Sequence, residues 1–181
     1  MKSGAMPMIT LVAGGTRSGK SAFALDLALR GYSNRTFIAT GVALDPEMED
    51  RIARHRLERG ERFRTVEEPV ELVRAISHLP RDGGVALVDC LTVWLGNLYH
   101  HFSGEETRVQ PQVEAFLAAM DAAPCDLILV TNEVGWGIVP ESPLARSFRD
   151  MAGYLNRKAA EKASRVYLIC MGIPLTLKGE P

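Results

Sequence analysis

Cysteine is scarce in this 181-residue chain: Cys90, Cys125 and Cys170 are its only three, and they do not cluster. That excludes a disulfide framework and any zinc-ligand spacing, so they are expected to be reduced residues in or near the core. A clean apolar run is missing too. The stretch VALVDCLTVWLGNLY over 85–99 is broken by Asp89, Thr92, Gly96 and Asn97 and falls short of a membrane span. Neither sign of charge dominates, with 21 Lys plus Arg against 22 Asp plus Glu and a net charge of -1. Bulk charge therefore nominates no nucleic acid or anionic lipid as a partner. The leading MKSGAMPM lacks the basic, apolar and small-residue order of a signal peptide, and a soluble, cytoplasmic protein is the expectation.

With 46% apolar side chains the chain is long enough for one well-buried domain over 1–181 and too short for two comfortable ones. Short, nearly continuous apolar runs recur at 8–13, 36–39, 85–89, 127–131 and 166–170, the pattern of strands covered on both faces. Between them lie helical patterns. SGKSAFALDLALR ends at Gly31, PVELVRAISHL opens with Pro69 at a first-turn position, and PLARSFRDMAGYLNRKAAEKAS carries apolar residues at three- and four-residue intervals. This alternation predicts an α/β fold with a mostly parallel sheet and right-handed crossovers. RFRTVE and the terminal GIPLTLK are further candidate strands, the second antiparallel because so little chain separates it from the run at 166–170. Residues 103–111, SGEETRVQP, read as an exposed loop by composition.

The stretch GGTRSGKS follows the first strand and opens the first helix. Gly14, Gly19, Lys20 and Ser21 meet the pattern G-x-x-x-x-G-K-[ST] in the strand-then-helix context that a phosphate loop needs, with Gly15, Thr16, Arg17 and Ser18 between the glycines. Glycine lets the backbone curl so that N–H groups point inward, and the helix N-terminus adds positive potential. Lys20 then reaches the outer phosphates and Ser21 offers a hydroxyl to Mg²⁺. Asp89 ends the run at 85–89, where an acid in such folds meets the metal's hydration shell; it could equally cap the helix LTVWLGNLYHH. Thr131, Asn132 and Glu133 end another strand on the same edge, facing phosphate, facing a second substrate or capping a loop. The N-K-x-D sequence of small switch GTPases is absent, which disfavours a switch without excluding guanine.

LDPEMEDRIARHRLERGER starts with Asp45 as N-cap, Pro46 at the first helical position and Glu47 in the first turn, and predicts a helix over about 46–59. Met48, Ile52, His55 and Arg59 then share one face. By itself that spacing favours a packed or interfacial histidine over a catalytic one. The arginines are offset by Glu49, Asp50, Glu58 and Glu61, so a solvated mixed-charge helix is also a sufficient account.

Taken together, GGTRSGKS, FIATGVALDPEMEDRIARHRLERG, NEVGWGIVPESPLARSFRDMAGYLNRKAA and VYLICMGIPLTLK resemble the bifunctional adenosylcobinamide kinase / adenosylcobinamide-phosphate guanylyltransferases of cobalamin biosynthesis, over about 8–178. The resemblance implies a RecA-like P-loop NTPase fold, a homotrimer and two reactions. The hydroxyl of the aminopropanol arm of adenosylcobinamide is phosphorylated from ATP or GTP; GMP from GTP is then joined to that phosphate, releasing pyrophosphate. By its place in R-I-x-x-H-R, His55 is implied as the histidine that is guanylylated, alongside Lys20 as the second catalytic residue. Implied nucleotide contacts are Gly14, Gly15, Thr16, Arg17, Ser18, Gly19, Lys20, Ser21, Ala39, Thr40, Gly41, Arg56, Leu57, Glu58, Arg59, Glu67 and Asp89; the loop and strand-end readings put Mg²⁺ on Ser21 and Asp89, while the resemblance leaves Asp89 to act through the metal or through the base. The implied partner is the corrinoid substrate, with no nucleic acid and no membrane. Two other readings of the loop stand beside this one. A plain small-molecule kinase needs Lys20 and a metal but has no use for His55, and a nucleotide-gated binding module needs only slow hydrolysis.

Overall fold

The computed structural model describes residues 6–43, 49–50, 52–53, 56–57 and 60–180. The strands are β1 (Ile9–Gly14), β2 (Arg35–Ala39), β3 (Arg64–Glu67), β4 (Val85–Asp89), β5 (Asp126–Asn132), β6 (Arg165–Cys170) and β7 (Ile173–Lys178). The helices are α1 (Lys20–Gly31), α2 (Leu72–Ser77), α3 (Leu91–His101), α4 (Glu106–Asp121) and α5 (Pro143–Lys162). Among the described residues the strands form one seven-stranded sheet in the order β3-β2-β4-β5-β1-β6-β7. All neighbours are parallel except β6 and β7, which pair antiparallel as the short connection demands. The fold is thus the expected α/β P-loop architecture.

Each strand is near-continuously apolar because helices cover both faces of the sheet. On one face α1 sets Ala24, Leu25 and Ala28 against Val12, Leu87, Ile128 and Val130. The opposite face is covered by α2 to α5, whose Leu72, Leu95, Phe116 and Leu155 pack over Ile9, Leu11, Val88 and Leu129. Trp94 anchors this larger layer: it is 1% exposed, its ring lies 5.0 Å from that of Phe116, and its indole N–H donates to the Val70 carbonyl at 2.8 Å. A polar tip satisfied in this way lets a large ring be buried without leaving an orphaned donor.

Three local expectations need correction. Residues 106–111 are helix: α4 starts at Glu106 and runs through Pro111. Composition pointed to a loop, but Val109, Val113, Phe116, Leu117 and Met120 lie on one buried stripe, and that burial prevails. Pro111 has no N–H to give to the carbonyl one turn back, at the exposed Thr107, where water can replace it. The second correction is at Pro69. The helix there begins only at Leu72, because the Glu68 carboxylate accepts the backbone N–H groups of Val70 (3.1 Å) and Glu71 (2.8 Å) and holds 68–71 as a turn. Third, Cys90 and Cys125 are buried but Cys170 is exposed, being the last residue of β6 before the turn into β7. Among the described residues no helix is long and apolar enough to cross a membrane.

Candidate functional site

The carboxyl ends of β1, β2, β4 and β5 define one edge of the sheet, and the glycine-rich loop lies on it. β1 ends at Gly14, beside Asn132 of β5 on one side and Ile169 of β6 on the other. A Cβ on Gly14 would sit 2.6 Å from Ser18 Oγ and 2.7 Å from the Ile169 carbonyl oxygen, so the sharp turn there requires glycine. Gly19 has φ 94° and Arg17 φ 55°, the positive-φ curl that turns successive N–H groups inward. The loop is braced within by the Ser18 N–H donating to Gly15 O (3.3 Å) and from the side by the Gly172 N–H donating to Ser18 O (3.0 Å). Lys20 opens α1 and is 6% exposed, with its ammonium folded back onto the Gly15 carbonyl at 3.0 Å. The hydroxyl of Ser18 is buried and unpaired with any described residue. Gly14→Ala should lower the melting temperature by about 5 °C or more, for a clash costing on the order of 2 kcal/mol. Gly15→Ala meets nothing within 4 Å and should barely move it. Thermal unfolding of the two variants side by side checks this.

In front of the loop opens a cavity of about 550 Å³. Thr16, Lys20 and Ser21 contribute to its wall from the loop and α1, Ala39 from the end of β2 and Gly41 just beyond it, Glu67 from β3, Asp89 from the end of β4 and Cys90 just beyond it. The described residues between 49 and 57 are helical, and Glu49, Ile52, Ala53 and Arg56 line the same cavity. Arg56 and Glu67 form an ion pair across it. Both are more than half exposed, so that pair contributes little stability and leaves both groups available to a ligand. Seven of the expected contacts among the described residues do not line the wall: Gly14, Gly15, Arg17, Ser18 and Gly19 of the loop itself, together with Leu57 and Thr40. Leu57 is 82% exposed, and Thr40 is fully buried as a strut: its hydroxyl donates to the Cys90 carbonyl at 2.9 Å and accepts the Cys90 N–H at 2.8 Å. Asn97 completes the strut by donating to the carbonyls of Thr40 (2.7 Å) and Pro69 (3.0 Å). His55, Glu58 and Arg59 lie outside the described residues.

The alternatives at the end of β5 resolve into three different roles. Asn132 lines the cavity. Thr131 is buried and donates to Asn156 Oδ1 at 2.7 Å, while the Asn156 amide donates to Asn132 O at 3.0 Å. Because Thr131 spends its proton there, Thr92 donates to Thr131 (3.2 Å) and accepts the Asn132 N–H (2.7 Å). This closed network of α3, α5 and β5 fixes Asn132 against the loop, and no local spacing in the sequence signals it. Glu133 turns away: its N–H donates to Gly14 O (3.1 Å) and its carboxylate accepts the Gly135 N–H (2.8 Å). Asp89 does not cap α3, whose N-cap is Cys90 and carries no side-chain cap bond.

Burial pushes the Cys90 thiol up to about 11, helped by the neighbouring Asp89 carboxylate. Cys125 is likewise pushed up to about 11, by burial and then by Asp82 and Asp126. Both stay protonated at neutral pH, and the thiol rather than the thiolate faces the cavity. Iodoacetamide at neutral pH should therefore label Cys170 first and leave Cys90 and Cys125 unmodified until unfolding, as read by peptide mass. The metal question turns on donor chemistry. The Ser21 hydroxyl and the Asp89 carboxylate, both on the cavity wall, are hard oxygen donors that suit Mg²⁺. Among the described residues no three His, Cys, Asp or Glu cluster to make a cage, so most ligands of such an ion would have to be phosphate and water.

A family model described as CobU, cobinamide kinase / cobinamide phosphate guanyltransferase, matches residues 10–177. The chain is 42% identical over 174 residues to the bifunctional adenosylcobalamin biosynthesis protein CobP of Pseudomonas aeruginosa, covering 96% of this chain and 99% of that one. It is 40% identical over 183 residues to the bifunctional adenosylcobalamin biosynthesis protein CobU of Escherichia coli K12, covering 94% and 100%. Among solved structures it resembles the flagellar accessory protein FlaH of Methanocaldococcus jannaschii, with TM-score 0.53, 13% identity, and 98% of this chain against 82% of that one. A Pyrococcus horikoshii OT3 protein gives TM-score 0.55 at 10% identity, over 99% and 90%. These two likenesses concern the fold alone. By the reach of the family match and the identity to its relatives, the chain belongs to the cobinamide kinase / cobinamide phosphate guanyltransferase family.

Proposed function

We propose that the cavity in front of the Gly14–Ser21 loop serves both reactions of the family in turn, and that His55 carries the guanylyl group between them. One observation carries this reading: Ala53 and Arg56, which flank His55 in sequence, line the same cavity as Lys20, Ser21 and Asp89. In the first reaction the loop N–H groups and Lys20 hold the triphosphate while the cobinamide hydroxyl, losing its proton to water, attacks the γ-phosphorus and the nucleoside diphosphate leaves. In the second, a ring nitrogen of His55 attacks the α-phosphorus of GTP and pyrophosphate leaves toward the cationic loop. An oxygen of cobinamide phosphate then attacks the same phosphorus and frees the histidine. Mg²⁺ bound with the nucleotide would neutralise phosphate charge, and Ser21 and Asp89 are the residues to hold it. ATP or GTP serves the first step and GTP the second.

The working form in this reading is a cytoplasmic homotrimer of single-domain chains. Strand β7 supports an association surface, since all its residues are exposed and Ile173, Leu175 and Leu177 are apolar. Sedimentation at assay concentration checks it, and a fully active monomer would remove the trimer. The activity itself is tested with cobinamide and GTP labelled separately at the α- and γ-phosphorus. Cobinamide phosphate should acquire γ-label first, and cobinamide-GDP should then acquire α-label with one pyrophosphate released per product. A plain kinase would stop at the first product, and a nucleotide-gated module would release phosphate without labelling any corrinoid.

A further inference from the structure

The loop between β5 and α5 holds large apolar side chains in water next to the phosphate loop. Trp136 is 75% exposed, Ile138 96% and Val139 62%. Such residues normally sit on a collapsed or mobile segment, yet this loop is tied down at both ends. Its start is bonded to the phosphate loop through the Glu133 N–H to Gly14 O, and Val134 packs onto the core. Two arginines of α5 hold its backbone: Arg149 donates to Gly135 O (2.6 Å), and Arg146 to the carbonyls of Pro140 (3.0 Å) and Glu141 (2.6 Å). Between those clamps the tip is presented with no charged side chain from Val134 to Pro140. A fixed apolar tip beside a phosphate site has the character of a binding surface.

We propose that Trp136, Ile138 and Val139 form the docking surface for the corrinoid ring of the acceptor substrate, an inference that rests on the cobinamide reading above. The acceptor has two unlike parts. Its reacting hydroxyl, at the end of a flexible arm, must enter the polar cavity, whereas its ring is broad, flat and free of phosphate and must stay outside. The loop is placed for that division. Trp136 is three positions beyond Glu133, so its Cα lies within roughly 11 Å of the residue that is bonded to the phosphate loop. The rigid indole and two aliphatic side chains match a flat apolar face, and the lack of charge at the tip matches a ring system without phosphate. A second copy of the chain is the less suitable occupant, because three side chains on one short tip fall far below the area a stable protein interface buries.

Trp136→Ala, Trp136→Phe and Ile138→Ser test the proposal against the intact wild-type protein with cobinamide and GTP. The two truncations should raise the KM for cobinamide about tenfold while leaving kcat within about twofold. They should leave unchanged the α-label taken up by the protein from GTP alone, a step that needs no corrinoid. Trp136→Phe keeps a flat ring and should restore most of the affinity. In the wild type, cobinamide should quench the fluorescence of the exposed Trp136 and leave that of the buried Trp94, a signal absent from Trp136→Ala. An unchanged KM in the truncations overturns the proposal, as does a KM rise that follows loss of a higher-order species in sedimentation. A wild-type protein that never phosphorylates cobinamide overturns the functional reading and this inference with it.

Discussion

Lys20→Ala is expected to lower phosphoryl transfer by about 10³-fold and to depress guanylyl transfer as well, because both reactions build negative charge on a triphosphate held over the same loop. Lys20 is 6% exposed, so its charge acts in a poorly screened setting and is worth more than a surface lysine's. The loop N–H groups would remain and keep some nucleotide bound. The loss should accordingly fall mainly on kcat, with a smaller rise in the KM for nucleotide. Steady-state assays of both products decide it, and wild-type turnover in either one would remove the loop from that reaction.

His55→Asn should separate the two activities. Guanylyl transfer needs a ring nitrogen that can form a bond to phosphorus, and asparagine offers none, so both the protein adduct and cobinamide-GDP should disappear. The kinase reaction uses the γ-phosphorus without a covalent enzyme intermediate and should keep most of its rate. In the wild type, intact mass should show a GMP adduct carrying α-label and no γ-label, lost in acid and persistent in alkali as a phosphoramidate is. Formation of cobinamide-GDP at the wild-type rate by the variant would overturn the covalent route. Equal loss of both activities would make His55 a binding or structural residue.

Much of the scaffold could be read along the chain because its signals are local. The run VALVD coincides with β4, and Pro143 and Lys162 bound a helix whose buried Met151, Ala152, Leu155 and Ala159 keep helical spacing. The phosphate loop was legible for the same reason, since every requirement it meets falls within eight residues. Where composition and burial disagreed, as at Glu106–Pro111, the sequence misled because polar residues dominate the first turn while the apolar stripe begins only at Val109. What was not legible depends on distant partners. Thr92, Thr131, Asn132 and Asn156 come from three elements, and nothing in their spacing indicates that they close one hydrogen-bond network behind the cavity. Thr40 could be placed at the right strand end, yet its role as a strut depends on Cys90, fifty residues away. That Asp89 lines the same cavity as Ser21, by contrast, was visible in outline because acids at strand ends gather on one edge of any parallel sheet.

The interposition of β5 between the phosphate-loop strand and the strand bearing Asp89 sets how far apart the two sides of the site stand. Gly14 is paired with Asn132, and Asp89 with Val130, so the ends of β1 and β4 lie two strands apart and two residues out of step. With ordinary strand spacing and rise, their Cα atoms are roughly 12 Å from one another. A single phosphate resting on the loop leaves the far end untouched, while a chain of phosphates with its counter-ions can reach across. In the proposed reading that separation is what a triphosphate with its counter-ion would span, and strand order sets it before any side chain is considered.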